Sequence, residues 1–454
     1  MSSSFIRSVV SLAMPITIQQ LVSSSGGIID NLMVAGLGTK AIGAVGAINK
    51  FIQVFWFSIH GLTSGGASFT SQFAARNDSR GIKKILGVTL FLNLAVAILF
   101  TFLALFYADG IVRFFTHDEE IIKIAKMYLF SMAPYFVLSA VPYSYSYPLR
   151  SLGKAQLSMY IMFFAQAVNI FFNYALITGN MGFPALGVAG AAIATVFSKV
   201  VETTLMLSAV YFFKYEVAAT LRELLSFSIE FLQKYLRVVS PLAINEVLWS
   251  LGLMLYQKLI GGMNADAMAA YGMLAPFEQL LISAFSGLAN AALTLSGKEL
   301  GAQNYKKAYK IGIRFSYIGP ILALLIGIPV AIFSEHLISI YSLMSSNKSL
   351  LSQEAFRQAS YFLRILGMFM FVRIFNLVSF AGVLKSGGDT IFLFFVETGS
   401  LWMIGIPIVY FSSLVGLSPY IVYFSTYIEE GIKAYFIRKR LISKKWMNTL
   451  VDLD

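Results

Sequence analysis

The sequence has 454 residues, of which 57% are hydrophobic and only 12% are charged. Soluble domains average about 45–50% apolar and about 25% charged residues, so this composition excludes a disordered chain and argues against a water-soluble one. The net charge of +12 lies in short segments between apolar runs, which excludes a nucleic-acid-binding surface. The absence of cysteine excludes disulfides and thiolate metal sites.

Apolar runs long enough to cross a membrane recur along the whole chain, since a helical span needs about 20 residues. We therefore predict an all-α integral membrane protein with twelve transmembrane helices. The predicted spans are 12–36, 44–70, 86–108, 124–148, 157–178, 187–213, 238–260, 268–296, 314–334, 356–384, 390–413 and 419–437.

The connectors between spans alternate in charge. Connectors such as the one with Arg76, Arg80 and Lys83 are basic, whereas those on the other side, such as the one with Asp118 and Glu119, hold few Lys or Arg residues. Because Lys and Arg stay on the cytoplasmic side during insertion, both termini are predicted in the cytoplasm of a multi-pass cell-membrane protein.

The chain is predicted to divide into two lobes, 1–214 and 238–437, followed by a basic cytoplasmic tail, 438–454. Leucines at helical spacing in the segment 215–237 predict an amphipathic linker helix that lies on the cytoplasmic surface. A plain linker is the alternative.

The two halves resemble each other in sequence. Pro15 and Pro241 are 226 positions apart, and the same shift places Gly46 on Gly272. Each repeat contains six spans and so begins and ends on the same side of the membrane, which makes the two repeats parallel. Parallel repeats related by an axis along the membrane normal are found among secondary transporters.

Asp30 is the first candidate functional residue, because charges inside spans are costly and therefore informative. It shares one face of the first predicted span with Gln19, Ser23 and Gly26. The functional interpretation is a carboxylate that accepts a proton or a cation from a cavity. The alternative is a buried carboxylate held by neighbouring hydroxyls and amides.

Two further polar faces lie in the fifth and sixth spans. Gln166, Asn169 and Asn173 recur at spacings of three and four in the fifth span. A second polar face in the sixth span consists of Thr195, Ser198 and Glu202. They predict an oxygen-rich pocket for an ion or a polar ligand, with ordinary hydrogen bonding between helices as the alternative.

The second half offers other candidates. Glu246 follows Pro241 in the seventh span, at the repeat position of Gln20, and shares its face with Gln257. Glu246 is a candidate for ion coupling. The candidates for lining a substrate cavity are Gln20, Gln166, Ser198, Gln257, Glu278 and Asn376.

Several chemistries are not expected. His60, His117 and His336 are far apart and show no metal-ligand spacing. The sequence also lacks a phosphate-binding loop. We therefore expect no enzymatic activity, no catalytic residue, no metal site, no ATP and no cofactor besides a coupling ion, which is a proton or sodium.

The order of these features resembles that of the MATE family, the multidrug and toxic compound extrusion transporters, and in particular its bacterial multidrug-type branch. The segments that carry the resemblance are Pro15 to Asn31, Gly36-Leu37-Gly38, the motif at 149–154, Asn169 to Asn173 and the motif at 186–195. They extend over nearly the whole chain.

The resemblance implies a V-shaped pair of six-helix lobes and antiport driven by protons or sodium ions. It also implies that Asp30 is the coupling residue, with Asn169 and Thr195 as its polar partners. Many relatives have a second acid where this chain has Asn173. Glu246 matches an acid in the seventh span of the multidrug branch.

The leading hypothesis is an ion-coupled antiporter that exports organic, often cationic and amphipathic, small molecules across the lipid bilayer by alternating access. A lipid-linked oligosaccharide flippase of the same superfamily is an alternative, because Arg364 and Arg373 could hold a pyrophosphate. A non-transporting membrane scaffold or receptor is the third. Because Asp30 is a single formal charge, H⁺ is favoured over Na⁺ as the coupling ion.

Overall fold

The structure is a computed structural model that describes residues 3–344 and 352–451, and within these ranges the protein is helical and has no strand. Twelve long helices follow one another in the predicted order. They are α1 Ser3–Ala35, α2 Thr39–Ala75, α3 Ser79–Phe106, α4 Glu119–Ser151, α5 Ala155–Thr178, α6 Val188–Phe212, α7 Ile229–Gly261, α8 Ala265–Gly301, α9 Tyr305–Ile332, α10 Gln353–Leu384, α11 Thr390–Leu414 and α12 Pro419–Ser443.

Short helices and altered turns complete the described chain. The short helices are Ala108–Phe115, Leu221–Leu224, Ser334–Met344 and a 3₁₀ turn, Asn180–Gly182. Inside α10 and α11, the turns Val378–Leu384 and Leu401–Gly405 are π-helical.

Eleven of the twelve long helices are apolar enough to cross a membrane. The remaining one, α12, is 25 residues long and carries Glu429, Glu430 and Lys433 in its interior. Lys433 Nζ lies 2.8 Å from Glu429 and 2.9 Å from Glu430, so these charges are paired, which reduces their cost in an apolar environment. The prediction of an all-α membrane protein with two six-helix halves is confirmed.

The chain divides into two compact units. The N unit is Met14–Ala243, and the C unit is Met1–Ala13 with Ile244–Asp452. The division therefore falls inside α1 and α7 rather than at the predicted boundaries, 1–214 and 238–437. The first turns of α7 belong to the N unit because two glycines of α2 allow close packing there. A Cβ on Gly61 would overlap Ala243, and one on Gly65 would lie 2.8 Å from Val239.

The prediction of one amphipathic helix over 215–237 is wrong. The segment contains only the four-residue helix Leu221–Leu224, and α7 already begins at Ile229. Two separate helix starts explain the difference. Thr220 and Glu223 form a capping box, and the Ser228 hydroxyl accepts a hydrogen bond from the Phe231 N–H at 3.2 Å.

The described part of the predicted tail, 438–451, is packed against the C unit rather than extended from it. The helix α12 continues to Ser443, and Lys444 then adopts a left-handed conformation that reverses the chain. The side chain of Trp446 is completely buried. A Cβ added to Gly312 of α9 would lie 3.3 Å from the ring of Trp446.

Candidate functional site

A hydrogen-bonded chain of polar side chains joins α1, α5 and α6 in the N unit. Asn173 Nδ2 donates to Asp30 Oδ1 at 2.6 Å and to Asn169 Oδ1 at 3.2 Å. Asn169 Nδ2 donates in turn to Thr195 Oγ1 at 3.3 Å, and Gln166 Nε2 donates to Asn169 at 3.2 Å. The structure therefore brings together five residues that the sequence singles out.

A glycine of α1 faces the polar side of α5. A Cβ on Gly26 would overlap the carboxamide of Gln166, so a larger residue here would displace this side-chain end of the polar group. Gly26 lies one turn before Asp30 in a helix that is continuous from Ser3 to Ala35. The glycine thus serves close packing next to the carboxylate.

Asp30 lies on the surface of two neighbouring cavities in the N unit. The larger one, about 500 Å³, is also lined by Asn173 and Tyr128. The smaller one, about 230 Å³, is also lined by Gln166 and Asn169. The two cavities share five lining residues: Gly27, Asp30, Trp56, Tyr135 and Thr195. Small-molecule sites have volumes of roughly 300–1,000 Å³, so the larger cavity is of suitable size.

The walls of these cavities are aromatic and carry charges of both signs. Trp56 Nε1 donates to Tyr135 Oη at 2.8 Å, which fixes the two rings relative to each other. Lys50 lines the larger cavity, and an ion pair between Lys199 and Glu202 lines the smaller one. The carboxylate of Asp30 therefore faces an amphipathic cavity with both acidic and basic groups.

The other predicted residues have different surroundings. Glu246 is half-buried in the C unit, and its charge acts on the buried amine of Lys385. Ser198 is buried, lines the smaller cavity and donates to the Thr195 carbonyl. Gln20 is half-buried and Gln257 is exposed, and neither lines the two cavities described above. The interpretation of these two glutamines as lining residues is not supported there.

Glu278 and Asn376 belong to a buried charged network in the C unit. Glu278 accepts hydrogen bonds from Arg373 at 2.8 Å and from Tyr423 at 2.7 Å. Asn376 Nδ2 donates to Glu430 at 2.6 Å. Arg364 also contacts a carboxylate, that of Glu335. The two arginines that suggested a pyrophosphate site are thus engaged with acids.

Sequence reasoning missed several residues of both regions. Asn49 and Gln53 of α2 line the larger cavity, and their spacing of four residues was a signal for a polar face. In α12, Glu429, Glu430 and Lys433 were overlooked although they form an acidic pair and a base at helical spacing. All three lie inside the predicted span 419–437, where a charge is costly and therefore informative.

The sequence model of the MatE family matches residues 15–175 and 241–411, which is more than half of the chain. The two matched segments begin at the two prolines of the internal repeat.

The relatives and solved structures that resemble this chain agree with that match. The chain is 22% identical over 441 residues to "Uncharacterized transporter YisQ" of Bacillus subtilis, covering 97% of this chain and 95% of the relative. It is 27% identical over 412 residues to "Probable multidrug resistance protein NorM" of Thermotoga maritima, covering 89% and 85%. A crystal structure of MATE in complex with MaL6 has a TM-score of 0.86 and 21% identity, with 96% of each chain covered, which establishes a shared fold.

Proposed function

The chain belongs to the MatE family of membrane transporters, and on that premise we propose that it exports small organic molecules in exchange for protons. The exported molecules are amphipathic and often cationic. The relative from Thermotoga maritima is named as a probable multidrug resistance protein. That name supports a broad range of organic substrates for this chain.

The observation that carries this proposal is the position of Asp30. Its carboxylate accepts a hydrogen bond of 2.6 Å from Asn173 and also forms part of the wall of both N-unit cavities. A carboxylate inside a span is expensive and is typical of proton relays and ion pathways. A cationic substrate that enters the cavity reaches the same carboxylate that holds the proton.

Exchange then follows from competition for one negative charge. When Asp30 is protonated, it is neutral and holds a cationic substrate weakly. When the proton leaves, the carboxylate can attract the substrate, so that binding of one favours release of the other. A conformational change that exposes the cavity to either side of the membrane in turn converts this competition into transport.

The hydrogen-bond geometry favours a proton over sodium. Asn173 is completely buried and presents an N–H donor to Asp30, which suits a carboxylate acceptor, whereas a sodium ion requires oxygens around it. The side-chain oxygen of Asn173 has no donor among the described residues, so this site can accommodate one more hydrogen bond. Glu246 is proposed as a second coupling acid, in the C unit.

The experiment is substrate efflux from proteoliposomes with a proton gradient and a sodium gradient imposed separately. We expect the proton gradient alone to drive efflux and Asp30→Asn to abolish it. Glu246→Gln should weaken transport of cationic substrates more than that of neutral ones. Glu216→Gln, which removes an exposed carboxylate from the linker, is the matched control. Efflux driven only by sodium, or wild-type efflux in Asp30→Asn, would refute the proposal.

We also propose that both termini lie in the cytoplasm, from the alternation of charged connectors. A reporter fused at Asp118, between α3 and α4, should then lie outside the cell, and one fused at Asp78 should lie inside. A cytoplasmic signal from the Asp118 fusion would contradict this topology.

A further inference from the structure

A charged network in the C unit takes no part in the mechanism proposed above. At its centre is Lys433 of α12, whose side chain is only 3% exposed. Its Nζ lies 3.0 Å from Glu397 of α11, 2.8 Å from Glu429 and 2.9 Å from Glu430. One buried ammonium group is therefore shared by three carboxylates.

The network continues to α8 and α10 through a second cation. Arg373 lies 2.8 Å from Glu278 and 4.0 Å from Glu430. Tyr423 donates to Glu278, and Asn376 donates to Glu430. Among the described residues, these contacts join four carboxylates to two cations. The neighbouring tyrosines carry no charge in their protonated form and so do not change this count.

Such an excess of negative charge is unfavourable in a buried site, because an unpaired buried carboxylate retains a large desolvation penalty. An independent observation also shows that the network has too few donors. The side-chain oxygen of Asn376, a residue that is 5% exposed, has no donor among the described residues although its amide nitrogen bonds to Glu430. An additional proton would relieve the charge imbalance.

The carboxylates differ in how well they are held. Glu429 accepts from Lys433 and from Tyr256 Oη at 2.6 Å, and Glu430 accepts from Lys433 and Asn376. Glu278 accepts from Arg373 and Tyr423. Among the described residues, Glu397 has one hydrogen-bond donor, Lys433. Its distance from Lys433 Nζ, 3.0 Å, is longer than those of Glu429 and Glu430. Glu397 is therefore the carboxylate that loses least when it becomes neutral.

The backbone next to Glu397 is also unusual. The π-helical turn Leu401–Gly405 begins one helical turn after it, and such turns occur frequently at functional sites. The turn brings Gly405 against the Tyr256–Glu429 pair, where a Cβ would overlap the tyrosine hydroxyl. Irregular helix geometry thus coincides with the part of the network that surrounds Lys433.

We propose that Glu397 is a proton-binding carboxyl of the C unit, separate from Asp30. A hydronium ion of the solution gives one proton to a carboxylate oxygen of Glu397 and leaves as water, and Lys433 keeps its charge, which it then shares with Glu429 and Glu430. The groups that face this site are Tyr256 of α7, Glu278 of α8, Arg373 of α10, and Tyr423, Tyr427, Glu429, Glu430 and Lys433 of α12. The inference extends the proposed proton exchange, but proton binding can be tested without transport.

The test is pH-difference infrared spectroscopy of the purified full-length protein in lipid nanodiscs, in H₂O and in D₂O. Carboxyl groups that gain a proton give a C=O band that shifts in D₂O. We expect Glu397→Gln to lose one such band per molecule, and Asp30→Asn to lose a different band while keeping that of Glu397. Glu354→Gln, which removes a more exposed carboxylate paired with Arg357, is the control and should also keep it.

Glu397→Asp retains a carboxyl and tests the assignment if the glutamine variant does not fold. Its band should be present at a shifted frequency, because the shorter side chain changes the distance to Lys433. An unchanged spectrum in either Glu397 variant would overturn the proposal. Loss of a band in Asp30→Asn alone would also overturn it, while leaving the proposed role of Asp30 intact.

Discussion

In the N unit, one carboxylate, Asp30, is surrounded by neutral amides and a hydroxyl, whereas in the C unit four carboxylates surround Lys433 and Arg373. Asp30 lies on the walls of two cavities and is accessible to a ligand. The side chain of Lys433 is almost fully buried among its partners. A parallel repeat has therefore preserved the helices while placing different chemistry in each half.

The segments that follow the sixth helix of each unit, by contrast, are built alike. In each half, the segment after the sixth helix packs on a glycine of the third helix. In the N unit the carbonyl of Leu224 occupies the space beside Gly87, and in the C unit the ring of Trp446 lies beside Gly312. A larger side chain at Gly87 would displace the segment, and one at Gly312 would overlap Val383 and crowd the ring of Trp446. The likeness thus extends to these segments, which pack on a glycine of the third helix in both halves, through a backbone carbonyl in one and through an indole ring in the other.

The largest difference between the two units is expected when each loses its buried lysine. Lys433→Met leaves three carboxylates without their shared cation, and breaking a buried ion pair in this way typically costs about 3–5 kcal/mol. Lys199→Met removes a lysine that pairs with one carboxylate, Glu202, and lines a cavity. The yield of monodisperse protein and its thermal unfolding midpoint measure both effects.

We expect Lys433→Met to lower both quantities much more than Lys199→Met does. Lys433→Arg keeps the charge and serves as the conservative control. Equal losses in the two methionine variants would mean that the C-unit network is no more dependent on its cation than the N-unit pair.

The long helices and the polar face of α5 are the parts of the structure that the sequence predicted well. Hydropathy located the long helices, since an apolar run of about 20 residues has few alternatives to a span. Spacings of three and four in α5 predicted that Gln166, Asn169 and Asn173 share a face, and the structure places that face against Asp30. A local periodicity was sufficient because each helix contributes its polar residues on one side.

The C-unit network was not predicted because its members are distant in sequence. Glu278, Arg373, Glu397 and Lys433 come from four helices, and no spacing within one helix indicates that they meet. The linker was predicted wrongly for a different reason. Its leucines have helical spacing, but the capping groups of Thr220 and Ser228 start two separate helices. Capping interactions override periodicity over so short a segment.

A second loss of stability is expected when the side chains of the two docked segments are truncated. Replacing a buried Trp by Ala typically costs about 3–5 kcal/mol, and Trp446 is completely buried. Trp446→Ala should therefore lower the thermal unfolding midpoint of the purified protein. Leu224→Ala should lower it less, because the contact at Gly87 is made by the backbone carbonyl, which the substitution retains. A larger loss for Leu224→Ala would contradict the backbone argument.

The smallest effect concerns the N-unit segment and depends on pH. The hydrogen bond from Lys83 Nζ at 2.8 Å, with further bonds from Thr220, lowers the pKa of the Glu223 carboxyl from 4.5 to about 2. Because the folded-state pKa lies below the unfolded one, Glu223 contributes stability above pH 4.5 and loses it as the pH falls towards 2. The contribution is modest, since 42% of its side chain is exposed and solvent screens the pair.

Thermal unfolding of wild type and Glu223→Gln across this pH range measures the contribution, because titration of the other carboxylates is common to both proteins. The wild type should unfold at a higher temperature at pH 6, and the gap should close between pH 4.5 and 2. In a Lys83→Met background the main cause of the lowered pKa is absent, so Glu223→Gln should then have a smaller effect at pH 6. A gap that stays constant with pH would mean that folding does not lower the pKa of Glu223. A gap that survives Lys83→Met undiminished would mean that the bonds from Thr220, rather than the ion pair, lower it.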